Sequence, residues 1–146
     1  MITETADVLV KDKRLYFTHY GIDELRGEST IGPIILGPVL GSDDETIGAA
    51  ILRNLIPPRI LTAEENEDIK KFERACQEIG FRNSDDFYRR GLLVPIYIFK
   101  KDLFLVPTKS RGKRSISFEF KEKVKAEKTD PLSVGRLFRE VLYQCS

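Results

Sequence analysis

Two stretches of the sequence, "GSDDETIGAAILRNL" (Gly41–Leu55) and "TDPLSVGRLFREVL" (Thr129–Leu142), each place a glycine inside an amphipathic helical pattern. A glycine in a helix interior costs about 1 kcal/mol relative to alanine, so the fold must contain something that offsets this cost. Because glycine lacks a Cβ, its backbone can lie directly against another helix or against a sheet. Gly48 and Gly135 share a helix face with the apolar residues three and seven positions later. The pattern therefore predicts a close structural contact at each glycine rather than a ligand site.

The two helices align at a constant offset of 87 residues, which brings Asp43 onto Asp130 as well as glycine onto glycine. At an offset of 88 residues, the apolar segment Val8–Phe17 overlays Ile96–Leu105. Both segments have two apolar runs around a short polar turn, which is typical of a β-hairpin. We therefore expect a pseudo-repeat of two β-β-β-α units, with a helical insertion at Thr62–Arg90 between them.

Local signals predict the remaining elements. An apolar run with Gly-Pro pairs predicts a buried strand at about Ile34–Leu40, although Pro38 disfavours a central place in a sheet. A capping box at Thr62 and a terminating glycine at Gly80 bound a long acidic helix. A short helix is predicted at Ser84–Arg90. Because short turns join the strands, the predicted fold class is α+β, a mostly antiparallel sheet with helices packed on one side.

The size and composition are typical of one globular domain that spans residues 1–146, with 41% hydrophobic and 32% charged residues. No apolar run reaches the roughly 18 residues of a membrane span, and the first residues lack the basic and apolar regions of a signal peptide. We therefore predict a cytoplasmic protein. In that compartment Cys76 and Cys145 are expected to be reduced and buried.

The sequence offers few residues that could carry catalysis or hold a metal ion. His19 is the only histidine, and no serine lies in a G-x-S-x-G elbow. One histidine and two separated cysteines cannot form an ordinary zinc site, and the acidic runs lack the calcium-loop spacing. The sequence contains no phosphate-binding loop motif. We therefore expect a protein that is not an enzyme and that uses no cofactor and no metal.

Charge is unevenly distributed along the chain. Residues 1–80 carry a net charge of −6, whereas residues 81–128 carry +7. Two solvated faces that partly neutralise each other would explain this asymmetry. A charged partner surface would explain it equally, and the basic strand-turn region 100–128, which lies beside aromatic strands, leaves open a small nucleic-acid-binding module.

Several segments together resemble the bacterial contact-dependent growth-inhibition immunity proteins of the CdiI type, from Val8 to Cys145. The resemblance lies in their order and spacing, beginning with an N-terminal hairpin and a Gly/Pro-rich strand. The later segments are "DETIGAAILRNL" (Asp44–Leu55), "GFRNSDDFYRR" (Gly80–Arg90), "LLVPIYIFKKDLFLVPTKSRGK" (Leu92–Lys113) and "DPLSVGRLFREVL" (Asp130–Leu142). The long acidic helix from Thr62 is not required by this resemblance.

The resemblance implies a function. Such proteins are cytoplasmic, and each binds and neutralises the C-terminal toxin domain, often a nuclease, of a large CdiA-type effector. The expected complex is a 1:1 heterodimer that involves no catalysis, no cofactor, no nucleic acid and no membrane.

An inhibitor of a nuclease faces a basic active-site cleft, which acidic side chains could occupy. The acidic residues form two groups, and we expect the toxin to contact one of them. The candidate toxin-binding residues are Asp23, Glu24, Glu28, Glu64, Glu65, Glu67 and Asp68. The second group also suits a helix N-terminus, which would explain it without a partner. The basic region then either faces away from the toxin or meets a toxin surface of mixed charge.

Overall fold

The structure is a computed structural model that describes residues 1–23, 29–31, 34–61, 71–110 and 118–145. The helices within these residues are α1 (Asp44–Asn54), α2 (Lys71–Glu78), α3 (Ser84–Arg90) and α4 (Pro131–Gln144). The strands are β1 (Ile2–Lys11), β2 (Arg14–Thr18), β3 (Tyr20–Asp23), β4 (Ser29–Ile31), β5 (Ile35–Val39), β6 (Arg59–Leu61), β7 (Leu92–Phe99), β8 (Asp102–Leu105), β9 (Thr108–Ser110), β10 (Phe118–Phe120) and β11 (Val124–Lys125).

The main sheet has the strand order β11-β8-β7-β1-β2-β5, and all neighbouring strands in it are antiparallel. Two smaller sheets accompany it, the hairpin β9–β10 and a sheet with the order β4-β3-β6. Within the smaller sheets, β3 and β6 run parallel to each other. The predicted α+β class with a mostly antiparallel sheet is therefore confirmed.

The order of the elements also supports the predicted pseudo-repeat. The first unit contributes β1, β2, β5 and α1, and the second contributes β7, β8, β11 and α4 in the same order. In each unit a small hairpin, β3–β4 or β9–β10, precedes the outer strand of the main sheet. Asp7 lies opposite Pro95 where β1 pairs with β7, and these two residues are 88 positions apart. A pseudo-two-fold axis therefore passes between them at the centre of the sheet.

Both main hairpins turn through two residues with positive φ. Asp12 and Lys13 have φ values of 50° and 62°, and Lys100 and Lys101 have values of 51° and 70°. Two-residue loops with this backbone are type I′ turns, which normally carry Asn-Gly because other residues are strained there by about 1 kcal/mol each. The equivalent turns thus share one backbone geometry, and neither carries glycine or asparagine.

The two interior glycines contact the opposite helix through its backbone. A Cβ built on Gly48 would lie 1.7 Å from the carbonyl oxygen of Pro131, and one built on Gly135 would lie 1.8 Å from that of Asp44. Asp44 and Pro131 are themselves equivalent at the offset of 87 residues, so the contact is reciprocal. The close approach of α1 and α4 explains both glycines, as the sequence predicted.

Each of these helices begins at an aspartate that caps it. The backbone N–H of Thr46 donates to Asp43 Oδ1 at 2.7 Å, and that of Ser133 donates to Asp130 Oδ2 at 3.1 Å. These bonds satisfy N–H groups that a helix leaves without an internal partner. The bond from Thr46 N–H holds the pKa of Asp43 below its usual value, and the Ser133 hydroxyl, which donates to Asp130 Oδ1 at 2.7 Å, does the same for Asp130 together with the Ser133 N–H.

Arg139 connects the end of α4 to the start of α1. Its guanidinium donates to Asp44 Oδ1 at 2.5 Å and to the Leu40 carbonyl at 2.8 Å, and it also donates to the Ser42 carbonyl. Charge-assisted bonds of this kind are stronger than neutral ones. The equivalent position in α1 is Leu52, so this connection exists in one direction only.

Helices cover both faces of the main sheet, not one as the sequence predicted. On one face α1 and α4 bury Ile47, Ile51 and Phe138 against the sheet. On the opposite face Leu9 and Leu93 pack against Cys76 of α2, Phe87 of α3, and Ile79 and Phe81 from the segment that joins these helices. Alternate residues of a strand point to opposite faces, which allows β1 to contribute to both clusters.

The ends of the inserted helices are well defined where the structure describes them. Helix α2 ends at Gly80, whose φ is 102°, with the N–H of Phe81 donating to the Cys76 carbonyl at 3.0 Å. This is the Schellman arrangement that a terminating glycine permits. Helix α3 has the predicted bounds, with Asn83 as its N-cap. The predicted start at Thr62 lies outside the described residues.

The predicted strand at Ile34–Leu40 exists as β5, but it is not buried. It occupies an edge of the main sheet, and Ile35 and Leu36 expose 42% and 66% of their surface. Pro38 is consistent with this edge position, since proline donates no ladder hydrogen bond. The hydrophobic sequence of this segment predicted a buried strand, but the place of β5 at the edge of the sheet leaves its side chains exposed.

Replacement of Gly48 or Gly135 by alanine should destabilise the protein, although it raises helix propensity. The added Cβ meets rigid backbone, and overpacking of this kind typically costs about 1–3 kcal/mol. Urea denaturation of each variant measures the free energy of unfolding. Gly41→Ala is the matched control, because a Cβ there would have no neighbour within 4 Å. Stabilisation by about 1 kcal/mol, as propensity alone gives, would contradict the close contact.

Candidate functional site

Of the predicted toxin-binding residues, the structure describes only Asp23, which is the last residue of β3. The remaining six lie outside the described residues: Glu24, Glu28, Glu64, Glu65, Glu67 and Asp68. Their position as a binding surface therefore stays a prediction from the sequence.

The strands that lead into the two acidic segments end side by side. Strands β3 and β6 are parallel, and Asp23 is paired with Leu61. Neighbouring strands lie about 4.8 Å apart. The chain thus enters residues 24–28 and residues 62–70 from adjacent strand ends on one edge of the β4-β3-β6 sheet. Neither β6 nor this pairing was predicted from the sequence, because a three-residue strand after Pro57-Pro58 gives no periodic signal.

The basic region begins at the turn between β7 and β8. Lys100 and Lys101 are exposed, and Lys100 Nζ lies 5.4 Å from the centroid of the Phe99 ring. Across the sheet, Lys123 Nζ lies 4.8 Å from the centroid of the Phe104 ring. These are cation–π distances. The tip of the β9–β10 hairpin, residues 111–117, lies outside the described residues.

Aromatic rings near these lysines are largely engaged within the protein. Tyr97 and Phe104 stack with their ring centroids 5.4 Å apart, and Phe104 is buried. The ammonium of Lys123 lies against the Phe104 ring as well. A nucleic-acid base would have to displace these contacts before it could stack on Phe104. Phe120, in contrast, exposes 63% of its surface.

Acidic groups lie among the lysines of this region. Lys125 Nζ is 3.4 Å from Asp102 Oδ2, and Glu127 is exposed two residues farther along the chain. A groove of about 650 Å³ separates Lys101 from the segment Lys125–Thr129. The surface is therefore cationic with interspersed carboxylates rather than uniformly basic.

The edge strand β5 forms a separate apolar surface. Ile35, Leu36 and Val39 are exposed on it. The pairing of β5 with β2 is interrupted between Arg14 and Tyr16, and Pro38 lies within the strand. Proline and irregular pairing are features that protect sheet edges from association with other strands.

The buried titratable groups are held in structural contacts. Burial raises the pKa of the Cys76 thiol to about 12, which disfavours the nucleophilic thiolate. His19 is also buried, and its Nε2 donates to the Asn54 carbonyl at the end of α1. Within the described ranges, no three potential metal-ligating side chains lie together.

Asp86 is an ionised carboxylate that stabilises α3. It accepts hydrogen bonds from Nε and Nη2 of Arg90, each at 2.6 Å, and from the backbone N–H of Arg82 at 3.0 Å. The bonds to Arg90 are the main cause, and that to Arg82 a further one, that hold the pKa of Asp86 well below its usual range. This arrangement fixes one turn of helix and leaves no free acid for catalysis at that position.

Among the described carboxyl groups of the main sheet, Asp7 has the most strongly shifted pKa. It lies beside the pseudo-two-fold axis with 4% of its surface exposed, and burial raises its pKa to about 7. Its neighbours across the two adjacent strands are Thr18 and Pro95. An interior polar residue in an apolar strand pattern is visible in the sequence, but its degree of burial depends on what covers the sheet.

Comparison with known proteins gives a likeness of fold. No model of a known protein family matches the sequence, and no curated protein is similar to it. A protein of unknown function from Neisseria meningitidis superposes with a TM-score of 0.69 and 16% identity, over 98% of this chain and 95% of that one. A chain of the CdiA-CT/CdiI toxin and immunity complex from Yersinia pseudotuberculosis superposes with a TM-score of 0.65 and 12% identity, over 100% of both chains. Among the described helices, none has the length and apolar character needed to cross a membrane.

Stability should depend on pH through Asp7. A carboxyl whose pKa is higher in the folded state binds its proton more tightly there, so the contribution of Asp7 to stability is fully present below about pH 4 and is lost as pH rises to about 7. A rise from 3.8 to about 7 corresponds to about 4 kcal/mol. Asp7→Asn should therefore be more stable than the wild type at pH 8.

Urea denaturation between pH 5 and 8 measures this effect, since Asp86 titrates well below that window. The wild type should lose stability across the window, and Asp7→Asn should lose much less. Parallel pH profiles for the two proteins would show that Asp7 is not the responsible group.

Proposed function

We propose that this chain is a cytoplasmic immunity protein that binds and neutralises the cognate C-terminal toxin domain of a CdiA-type contact-dependent growth-inhibition effector. The observation that carries the proposal is the likeness of fold to a chain of a toxin and immunity complex over the full length of both chains. The sequence resemblance to CdiI-type immunity proteins supports it independently of that superposition.

In this proposal the protein inhibits the toxin by covering part of the toxin's surface and not by catalysis. Its buried thiol and its buried histidine are engaged in packing and hydrogen bonds, which agrees with such a role. A nuclease toxin would present a cationic cleft, and carboxylates at the rim of that cleft would accelerate encounter and exclude the substrate. The proposed complex is a 1:1 heterodimer with no cofactor.

The acidic residues form a single surface in this proposal. Because Asp23 is paired with Leu61, residues 24 and 62 follow adjacent strand ends, and both acidic segments start from one place. Seven carboxylates on one surface would be more strongly negative than either group alone. The adjacent strand ends support this proposal.

A small nucleic-acid-binding module that uses the region 100–128 is the second candidate function. The exposed side chain of Phe120 beside Lys121 favours it. The stacking of Phe104 on Tyr97 and the position of Asp102 beside Lys125 disfavour it, because Phe104 is not free to stack on a base and a carboxylate among the lysines repels phosphate. The immunity function is therefore the better supported of the two.

The direct test examines the adjacent gene for a large secreted CdiA-type protein and uses the C-terminal domain of that protein as the binding partner. Isothermal titration calorimetry should give one binding site with a Kd of about 10⁻⁷ M or tighter, as specific inhibitor interfaces have. A single-stranded RNA of 20 nucleotides in the same buffer should not bind. Tight, steeply salt-dependent RNA binding without toxin binding would instead support the nucleic-acid module.

Reversal of Glu64, Glu65, Glu67 and Asp68 to lysine should slow association with that domain about tenfold or more at low salt. The reason is that the steering attraction becomes a repulsion. Stopped-flow measurement of the association rate at 50 and 500 mM salt tests this, because salt screens the effect.

The matched control reverses four exposed acids elsewhere, which are Glu45, Glu78, Glu119 and Glu140. It changes net charge by the same amount and should slow association much less. Equal rates for the two variants would show that the acidic group does not form the contact surface.

A further inference from the structure

The turn between β7 and β8 places two lysines where the backbone disfavours them. Lys100 and Lys101 have φ values of 51° and 70°, a conformation that favours asparagine and glycine. Both side chains are exposed, so packing against the core does not explain the choice. The equivalent turn at Asp12 and Lys13 has the same backbone, so the strain follows from the turn geometry, and what distinguishes the second turn is that it carries two lysines.

The side chains around this turn form a compact charged surface. Lys101 and Lys125 line the same groove of about 650 Å³, together with Asp102 and Glu127. Lys123 is held over Phe104, which fixes its ammonium on the same side of the sheet as Lys125, two residues away. We call this set the lysine turn surface: Lys100, Lys101, Lys123 and Lys125, with the carboxylates of Asp102 and Glu127.

We propose that the lysine turn surface is a second contact for the toxin domain and receives carboxylates of that domain. This inference rests on the proposed immunity function. The basic region could either face away from the toxin or meet a toxin surface of mixed charge, and this inference favours the second explanation. Interspersed acids and lysines suit a protein surface, on which both signs occur, whereas carboxylates within the surface would repel a phosphate backbone.

The position of the turn is compatible with one partner that reaches both surfaces. Phe99, next to the turn, is paired with Ile2 at the start of β1. Ile56, five residues before the end of β6, forms a bridge with Thr5 on the same strand. The three residue steps from Ile2 to Thr5 span about 10 Å. The lysine turn and the segment leading to the acidic region thus approach the same end of β1.

The β1–β2 turn supplies a matched control. Lys13 occupies the same turn position as Lys101, with φ of 62°, and it is also an exposed lysine. Lys13→Gly and Lys101→Gly therefore remove the same charge and relieve the same backbone strain at two equivalent turns. Any difference between the two variants in binding reports on location alone.

The experiment measures melting temperature and the association rate with the C-terminal domain of the neighbouring secreted protein. Both variants should raise Tm by about 2–4 °C. Lys101→Gly should slow association about threefold at 50 mM salt, and Lys100→Asn/Lys101→Gly about tenfold, with the differences disappearing at 500 mM salt. Lys13→Gly should associate at the wild-type rate.

The outcomes separate this inference from the function on which it rests. Wild-type binding with equal rates for Lys13→Gly and Lys101→Gly would overturn the lysine turn surface and leave the immunity function intact. Failure of the wild type to bind the toxin domain would overturn both. Binding of a 20-nucleotide single-stranded RNA that Lys100→Asn/Lys101→Gly abolishes, with toxin association unchanged, would assign the turn to nucleic acid instead.

Discussion

The fold depends on a backbone contact between two helices at a pseudo-two-fold axis. Gly48 and Gly135 each lie against the first turn of the opposite helix, where any side chain would collide with a carbonyl group. The same axis passes between Asp7 and Pro95 in the sheet. One geometric constraint therefore fixes the helix pair, the central strand pair and the relation of the two units. The buried residues of α1 and α4 reach the sheet because the helix axes can approach so closely.

The features that could bind a partner are those in which the two units differ. Only the first unit has, within the described chain, an added parallel strand, β6, beside its small hairpin. The inserted helices α2 and α3 cover one face of the sheet next to that addition. In the second unit the hairpin turn carries two lysines in place of Asp12 and Lys13. The repeated units thus form one frame, and their differences give each unit a distinct surface.

The titratable groups with shifted pKa values are held in structural contacts. The buried Cys76 thiol has a raised pKa, the Asp7 carboxyl is held mostly away from solvent, and Asp86 is paired with Arg90. Each perturbation has a structural cause, burial or an ion pair. The exposed charged groups of the described residues include the lysines of the two hairpin turns, Lys13, Lys100 and Lys101. The proposed immunity function needs charges of this kind on the surface and places no demand on the buried groups.

The sequence by itself determined the elements whose signals are local. The aspartate caps, the terminating Gly80, the bounds of α3 and the paired glycines were all predictable, because each rests on residues within one or two turns of chain. The equal spacing of the two units also predicted that they share one topology. Tertiary structure alone decided the rest: the exposure of β5, the cover on the second face of the sheet, the burial of Asp7, and the pairing of Asp23 with Leu61. These depend on which segments distant in the chain become neighbours, and hydrophobic periodicity carries no information about the identity of a neighbour.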